Sequence, residues 1–157
     1  GRCGSRMDDS VTERALVCPS CGLTVYPRIN PAVIVGVVHG DSLLVTHYRG
    51  RPYRHLALVA GFSEIGESCE DTVRREVREE TGIDVGSVLF YKSQPWPISD
   101  SLLMGFFAEA DNPGKIAVQE TELSEAHWCP RDQLPVGSGF SLTEEMMDRF
   151  RTAGSPF

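Results

Sequence analysis

The sequence predicts an α/β (α+β) fold in which a mixed sheet is sandwiched between helices and preceded by a small metal-stapled segment. Three observations lead there. β-branched runs recur along the chain, whereas helical periodicity is confined to one early and one late stretch. Residues 1–30 differ from the rest, holding three of the five cysteines and little apolar periodicity. At 157 residues the chain has the size of one ordinary domain and can bury a core without a disulfide framework.

The appendage at 1–30 carries Cys3, Cys18 and Cys21 together with Arg2, Arg6, Arg14 and Arg28; residues 31–157 form the main domain. After Pro31 the run Ala-Val-Ile-Val-Gly-Val-Val predicts a strand over 32–38. His39-Gly40-Asp41-Ser42 supplies turn chemistry, and a partner strand follows over 43–48. A Gly/Arg/Pro loop at 50–52 precedes a short strand at 56–60, which ends at Gly61. Ser68 opens a helix running to about Thr81, and Gly82 stands where a left-handed glycine stops a helix. Residues 85–92, 102–110, 116–118 and 123–128 read as strands between Pro, Asp and Gly breakers, and 142–151 as a terminal helix.

Charge and length exclude several functions. Lys+Arg number 15 against Asp+Glu 22, a formal charge of -7, which disfavours indiscriminate binding to nucleic acid or anionic membranes and invites metal ions. Apolar stretches such as 32–38 and 102–107 are far shorter than the roughly 20 residues of a membrane-spanning helix, so no membrane partner is expected. The chain opens on Gly1-Arg2-Cys3 without an initiator Met or an apolar leader, and a trimmed or truncated start is the expectation. Cys18 and Cys21 form a Cys-Pro-Ser-Cys-Gly knuckle, which reads as metal binding before disulfide in a reducing, cytoplasmic location.

The chemistry concentrates in GFSEIGESCEDTVRREVREETGI, residues 61–83. At 100° per residue, with Glu76 at zero, Glu80 lies at about 40° and Glu79 at about 300°, while Cys69, Val73 and Val77 lie at about 20°, 60° and 100°. Three carboxylates therefore adjoin the apolar stripe. Like charges at that spacing repel, and desolvation beside a stripe worsens the conflict, which a divalent cation resolves. Such oxygen sites suit Mg²⁺ or Mn²⁺ shared with substrate phosphates. A solvated acidic face is the plain alternative. Two further ladders, Asp71-Arg75-Glu79 and Glu70-Arg74-Arg78, read as helix-holding pairs, and Ser68 with Asp71 matches a capping box.

Gly61, five residues, Glu67, seven residues, Arg75-Glu76-Val77, one residue, Glu79-Glu80, one residue, Gly82-Ile83: this order resembles the Nudix box at every fixed position. The resemblance implies a Nudix fold and metal-dependent hydrolysis of a nucleoside diphosphate linked to another moiety. It implies Glu76 and Glu80 as metal ligands, Glu79 as ligand or base, and Arg75 as the residue that orients Glu67.

Ser93-Gln94-Pro95-Trp96-Pro97, with Ser101 four residues on, resembles the signature of the NADH pyrophosphatases within that superfamily. Pro-Trp-Pro fixes an indole in a stiff extended segment, a platform for a flat base, although a Trp can also fill core space. Where the subfamily has Phe-Pro this chain has Ile98-Ser99, followed by Asp100. The resemblance implies a substrate-binding stretch of Gln94, Pro95, Trp96, Pro97, Ile98, Ser99, Asp100 and Ser101. Cys3, fourteen residues, Cys18, two residues, Cys21, then Tyr26-Pro27-Arg28, resembles the subfamily's zinc ribbon. That implies structural Zn²⁺ on Cys3, Cys18 and Cys21, with the subfamily's first Cys falling immediately before Gly1. Cys69 and Cys129 read as core thiols. By position, Glu122 matches a further metal-binding acid, Ala60 a carbonyl ligand and Tyr26 a substrate contact.

The function implied is hydrolysis of NADH or NAD⁺ at the pyrophosphate to nicotinamide mononucleotide and AMP. Mg²⁺ or Mn²⁺ would be held by Ala60, Glu76, Glu79, Glu80 and Glu122, with Glu79 or Glu122 as base. Competing readings are ADP-ribose, a dinucleoside polyphosphate or an NAD-capped RNA 5′ end as substrate, and a non-catalytic nucleotide sensor. A homodimer is expected from the resemblance.

Overall fold

The structure, a computed structural model, describes residues 2–50, 55–119 and 121–157. Beyond Gly50, the loop predicted at 50–52 falls outside them. No helix among the described residues is long and apolar enough to cross a membrane.

The N-terminal segment folds on its own backbone. Three two-residue strands, β1 (Asp8–Asp9), β2 (Leu16–Val17) and β3 (Thr24–Val25), form an antiparallel sheet in that order. Its knuckle turns because Gly22 takes φ 73°, where its N–H reaches the Cys18 carbonyl at 3.0 Å and the Cys18 N–H reaches the Leu23 carbonyl at 2.8 Å.

The main sheet is built on β4 (Asn30–His39), whose apolar run is buried on both faces. The other strands are β5 (Ser42–Tyr48), β6 (Val59–Phe62), β7 (Val85–Trp96), β8 (Ser101–Ala110) and β9 (Leu123–Pro130). Their order is β7-β8-β4-β5-β9, and β6 also pairs with β4. β4 and β8 run parallel while the other pairs are antiparallel, giving the mixed sheet expected.

Alternation along β4 divides the core into two layers. Val33, Val35 and Val37 pack with Val73 and Val77 of helix α1 (Cys69–Thr81). Ile34 and Val38 pack with Leu142, Met146 and Phe150 of helix α2 (Leu142–Ala153). Both helices start where side chains can cap them: Ser68 accepts from Asp71 N–H in a complete capping box, and Ser141 accepts from Glu144 N–H. Gly82 closes α1 at φ 71° with its N–H on the Arg78 carbonyl.

Two predicted strands change. The one expected at 56–60 forms at Val59–Phe62, because residues 59–62 pair with β4 whereas Ala57 makes an isolated bridge with Thr46. The stretch 116–118 is no strand; the Ala117 N–H goes to the Thr81 carbonyl at 2.9 Å and the Gln119 N–H to the Glu80 carbonyl at 3.0 Å. These are end-of-helix carbonyls without intrahelical partners, so the segment caps α1 instead of joining the sheet.

Candidate active site

The site begins where β6 passes under α1. Gly61 lies opposite Val33, on the face that α1 covers, and a Cβ built there would meet the Glu76 carboxyl carbon at 2.0 Å. The glycine leaves room for the carboxylate. Glu76 is 9% exposed, and Arg75 binds it at 2.7 Å.

Arg75 is the hub of the loop and helix. Its Nε donates to Glu67 Oε1 at 2.6 Å and its Nη2 to Glu67 Oε2 at 3.0 Å, a two-pronged pair. Nη1 reaches Glu79 at 3.1 Å, and Nη2 also reaches the Phe62 carbonyl at 2.9 Å. Glu67 further accepts from the Glu64 N–H at 3.0 Å and from the Thr72 hydroxyl at 3.0 Å. The Arg75 guanidinium, with these donors, holds the Glu67 carboxyl down at about 2. Arg75 therefore turns to Glu67, Glu76 and Glu79, and the predicted Asp71-Arg75 rung does not form, because the capping bond to Ser68 occupies Asp71. In the second ladder Arg74 donates to the Glu70 and Gly86 carbonyls and Arg78 pairs with Asp84.

Glu80 is the anomaly of the helix. It is 1% exposed, and neither carboxylate oxygen has a hydrogen-bond partner among the described residues. Burial, with Glu76 and Glu122 nearby, pushes its carboxyl up to about 8. Burial likewise raises Glu76, partly offset by Arg75. Two buried acids beside a third, one of them wholly unpartnered, form a donor set that a divalent cation would complete. The 116–119 cap carries the chain to Glu122, which is exposed, as is Glu79 at 55% of its side chain. Among the described residues no three of these carboxylates close to within 4.8 Å of one another, as the three thiols do; Arg75 is drawing on two of them.

Ala60, preceding Gly61, offers its carbonyl to the Tyr48 hydroxyl at 3.5 Å, and the Glu122 carbonyl accepts from the Arg49 N–H at 2.9 Å. Tyr48 and Arg49 both line an open cleft of about 880 Å³ that Trp96, Ser141 and Thr143 also line. The cleft thus adjoins the acidic site. Gln94 uses both ends of its amide on the chain entering α2: Oε1 accepts from Leu142 N–H at 2.8 Å and Nε2 donates to the Phe140 carbonyl at 3.3 Å. Pro97–Ser99 form a 3₁₀ turn, and Asp100 takes φ 49°, the one positive value at a described residue other than glycine. Ile98 is exposed, while Ser101 is buried and bonds Ser99.

In the ribbon the Cys3, Cys18 and Cys21 sulfurs lie within 4.8 Å of one another, with Cys3 and Cys18 at 3.5 Å. Sulfurs on a tetrahedral ion at 2.3 Å would be about 3.8 Å apart, so the triad fits zinc. Hydrogen bonds from Ser5, with Cys18 and Cys21 beside it, lower the Cys3 thiol to about 6, toward the thiolate a metal needs. Tyr26 donates to Glu13 and lines a separate hollow of about 300 Å³ walled by ribbon residues such as Leu16 and Val25. Cys69 and Cys129 pack against the two core layers.

Thr72, Tyr48 and Arg49 were not singled out by sequence. Thr72 alone left a trace there, as a polar residue next to Val73 on the buried side of α1.

The NUDIX domain family matches residues 28–150. The chain belongs to the Nudix family. Residues 1–26 match the NADH pyrophosphatase zinc ribbon domain. Among curated relatives, the NAD-capped RNA hydrolase NudC of Pseudomonas aeruginosa (strain LESB58) is 44% identical over 135 residues, 86% of this chain and 48% of that protein. The protein of the same name from Escherichia coli O1:K1 / APEC is 45% identical over 137 residues, 87% of this chain and 52% of that protein. This Nudix chain therefore spans about half the length of the curated relatives it matches. A crystal structure of a NUDIX hydrolase from Nitrosomonas europaea superposes with a TM-score of 0.78 at 20% identity, covering 93% of this chain and 84% of that one, and shows the same fold.

Proposed function

We propose that this Nudix chain hydrolyses the pyrophosphate bond of NAD, reduced or oxidised, to a nicotinamide mononucleotide and AMP, with Mg²⁺ or Mn²⁺ as cofactor. The observation that carries the reading is Glu80, buried with both oxygens unpartnered beside Glu76 and Glu122. Glu76, Glu79, Glu80 and Glu122, with the Ala60 carbonyl, would hold the ions. When bound, these supply charge neutralisation on the phosphates and make water nucleophilic at neutral pH.

The protein's own residues do the rest. Arg75, anchored on Glu67, keeps Glu76 and Glu79 in place. Glu79 or Glu122, both open to solvent, accepts the proton of the attacking water. Trp96 and the stretch from Gln94 to Ser101 receive a base at the cleft. Cys3, Cys18 and Cys21 hold structural zinc in a unit at 1–30, apart from the hydrolase domain at 31–157, and Tyr26 contacts substrate from the ribbon side. A homodimer in the cytoplasm completes the proposal, and sedimentation of the full chain tests its oligomeric part.

The names of the relatives favour a second reading, an NAD cap on RNA. The same chemistry serves both. Rates on NADH, NAD⁺, ADP-ribose and NAD-capped RNA, each with Glu79→Gln alongside, rank them. Preference for an NAD substrate, lost in the variant, supports the reading; preference for ADP-ribose counts against it.

A further inference from the structure

Phe140 is a large aromatic left 75% exposed on the chain leading into α2. Surface rings are common, but this one is held. Its carbonyl accepts from Gln94 Nε2 at 3.3 Å, its N–H donates to Ser138 Oγ at 3.4 Å, and Leu142 N–H two residues on donates to Gln94 Oε1 at 2.8 Å. The ring meets Trp96 edge-on, with centroids 6.3 Å apart and planes at 72°. Trp96, Ser141 directly after Phe140 and Thr143 three residues on line the cleft that Tyr48 and Arg49 join to the acidic site.

At that angle and separation the two rings leave no room for a third between them, so they cannot sandwich a base. Phe140, 75% exposed, keeps ring surface open to solvent while packing against Trp96 in an edge-to-face pair. An exposed ring on backbone pinned from both sides, one residue before the cleft-lining Ser141, is preorganised for stacking a flat ring, which every nucleobase presents.

We propose that Phe140 is a substrate-binding residue on which a nucleobase of the substrate stacks, with Trp96 packed against its ring. The proposal rests on the hydrolase reading for its substrate and extends it to a residue outside the Gln94 to Ser101 stretch. It also gives Gln94 a definite task, positioning Phe140 through the backbone.

The test uses the full chain with Phe140→Ala, Phe140→Leu and Phe140→Tyr. Stacking acts in the ground state, so Phe140→Ala raises KM for NAD⁺ about 5- to 20-fold and leaves kcat within about twofold. Phe140→Tyr restores KM and Phe140→Leu does not, because apolar bulk without a π face does not stack. All three keep the wild-type thermal midpoint, since the ring is exposed. A second arm needs no turnover: calorimetric titration of AMP into protein free of added Mg²⁺ and Mn²⁺ weakens by a similar factor in Phe140→Ala. An unchanged KM, rescue by Leu equal to that by Tyr, or AMP binding that is the same in both proteins or absent from both overturns the role of Phe140, whatever becomes of the hydrolase reading.

Discussion

Gly61 and Glu76 occupy one space: the glycine on β6 has no side chain where the Glu76 carboxylate lies, and a Cβ would stand 2.0 Å from its carboxyl carbon. The requirement is steric, since Gly61 is not among the glycines with positive φ. What must yield is the far end of a side chain, not backbone, so the fold survives and the carboxylate moves. Gly61→Ala is expected to lower kcat about a hundredfold, the scale for a misplacement of about 1 Å, with a small change in thermal midpoint. A variant of wild-type activity would show that the position of Glu76 does not matter.

Glu80 sets a pH signature of the metal-free protein. Its carboxyl rises from 4.5 to about 8 on folding, so across that window the folded state holds a proton that the unfolded chain has released. Stability therefore falls as pH rises from 4.5 to about 8, with a ceiling of about 5 kcal/mol at 1.36 kcal/mol per unit. Glu80→Gln removes this slope, and its melting midpoint without added Mg²⁺ or Mn²⁺ should exceed wild type at the alkaline end. Mn²⁺ should raise the wild-type midpoint and not the variant's. Parallel midpoint curves for the two proteins would contradict the assignment.

Glu67 behaves in the opposite sense. Arg75 lowers its carboxyl from 4.5 to about 2, so its contribution is present above 4.5 and is lost as pH falls through about 2. Glu67→Gln should flatten that acid limb and release Arg75 from its two-pronged anchor. The expected activity loss is about 10- to 100-fold, seen mainly in kcat because Glu67 works through Arg75 on Glu76 and Glu79. A rise in KM alone would place Glu67 in substrate binding instead.

Much of this was legible in sequence because the box is local. Gly61, Glu67, Arg75, Glu76, Glu79 and Glu80 lie on one loop and one helix, whose geometry follows from 3.6 residues per turn and a capping box. What was hidden depends on tertiary partners. The stretch 116–118 has strand composition, yet the N–H groups of Ala117 and the following Gln119 go to the open carbonyls of α1 and not to a sheet edge. Asp71 and Arg75 have ladder spacing, but Ser68 and Glu67 compete for them at closer range. Tyr48, Arg49 and Phe140 carry no motif; Tyr48 and Arg49 meet Trp96 and Ser141 around one cleft only in the fold, and Phe140 packs on that same Trp96.

The thiol triad yields a separable prediction. Cys18 is 3% exposed and central to the knuckle, with Cys3 at 3.5 Å. Cys18→Ser should abolish bound zinc, measured by atomic absorption, while far-UV circular dichroism retains the α1 and α2 signal, because among the described residues the three-stranded ribbon sheet pairs only within itself. Collapse of the whole helical signal would mean that the ribbon supports the hydrolase fold.

The most direct measurement is product analysis of NAD⁺ incubated with the protein, with and without Mg²⁺ or Mn²⁺, in wild type and Glu80→Gln. AMP and nicotinamide mononucleotide in equal amounts, formed only with the ion and at least about a hundredfold more slowly by the variant, is the expected result. Free nicotinamide as the product, or equal AMP release by Glu80→Gln, would contradict hydrolysis at a pyrophosphate by ions held on the buried carboxylates.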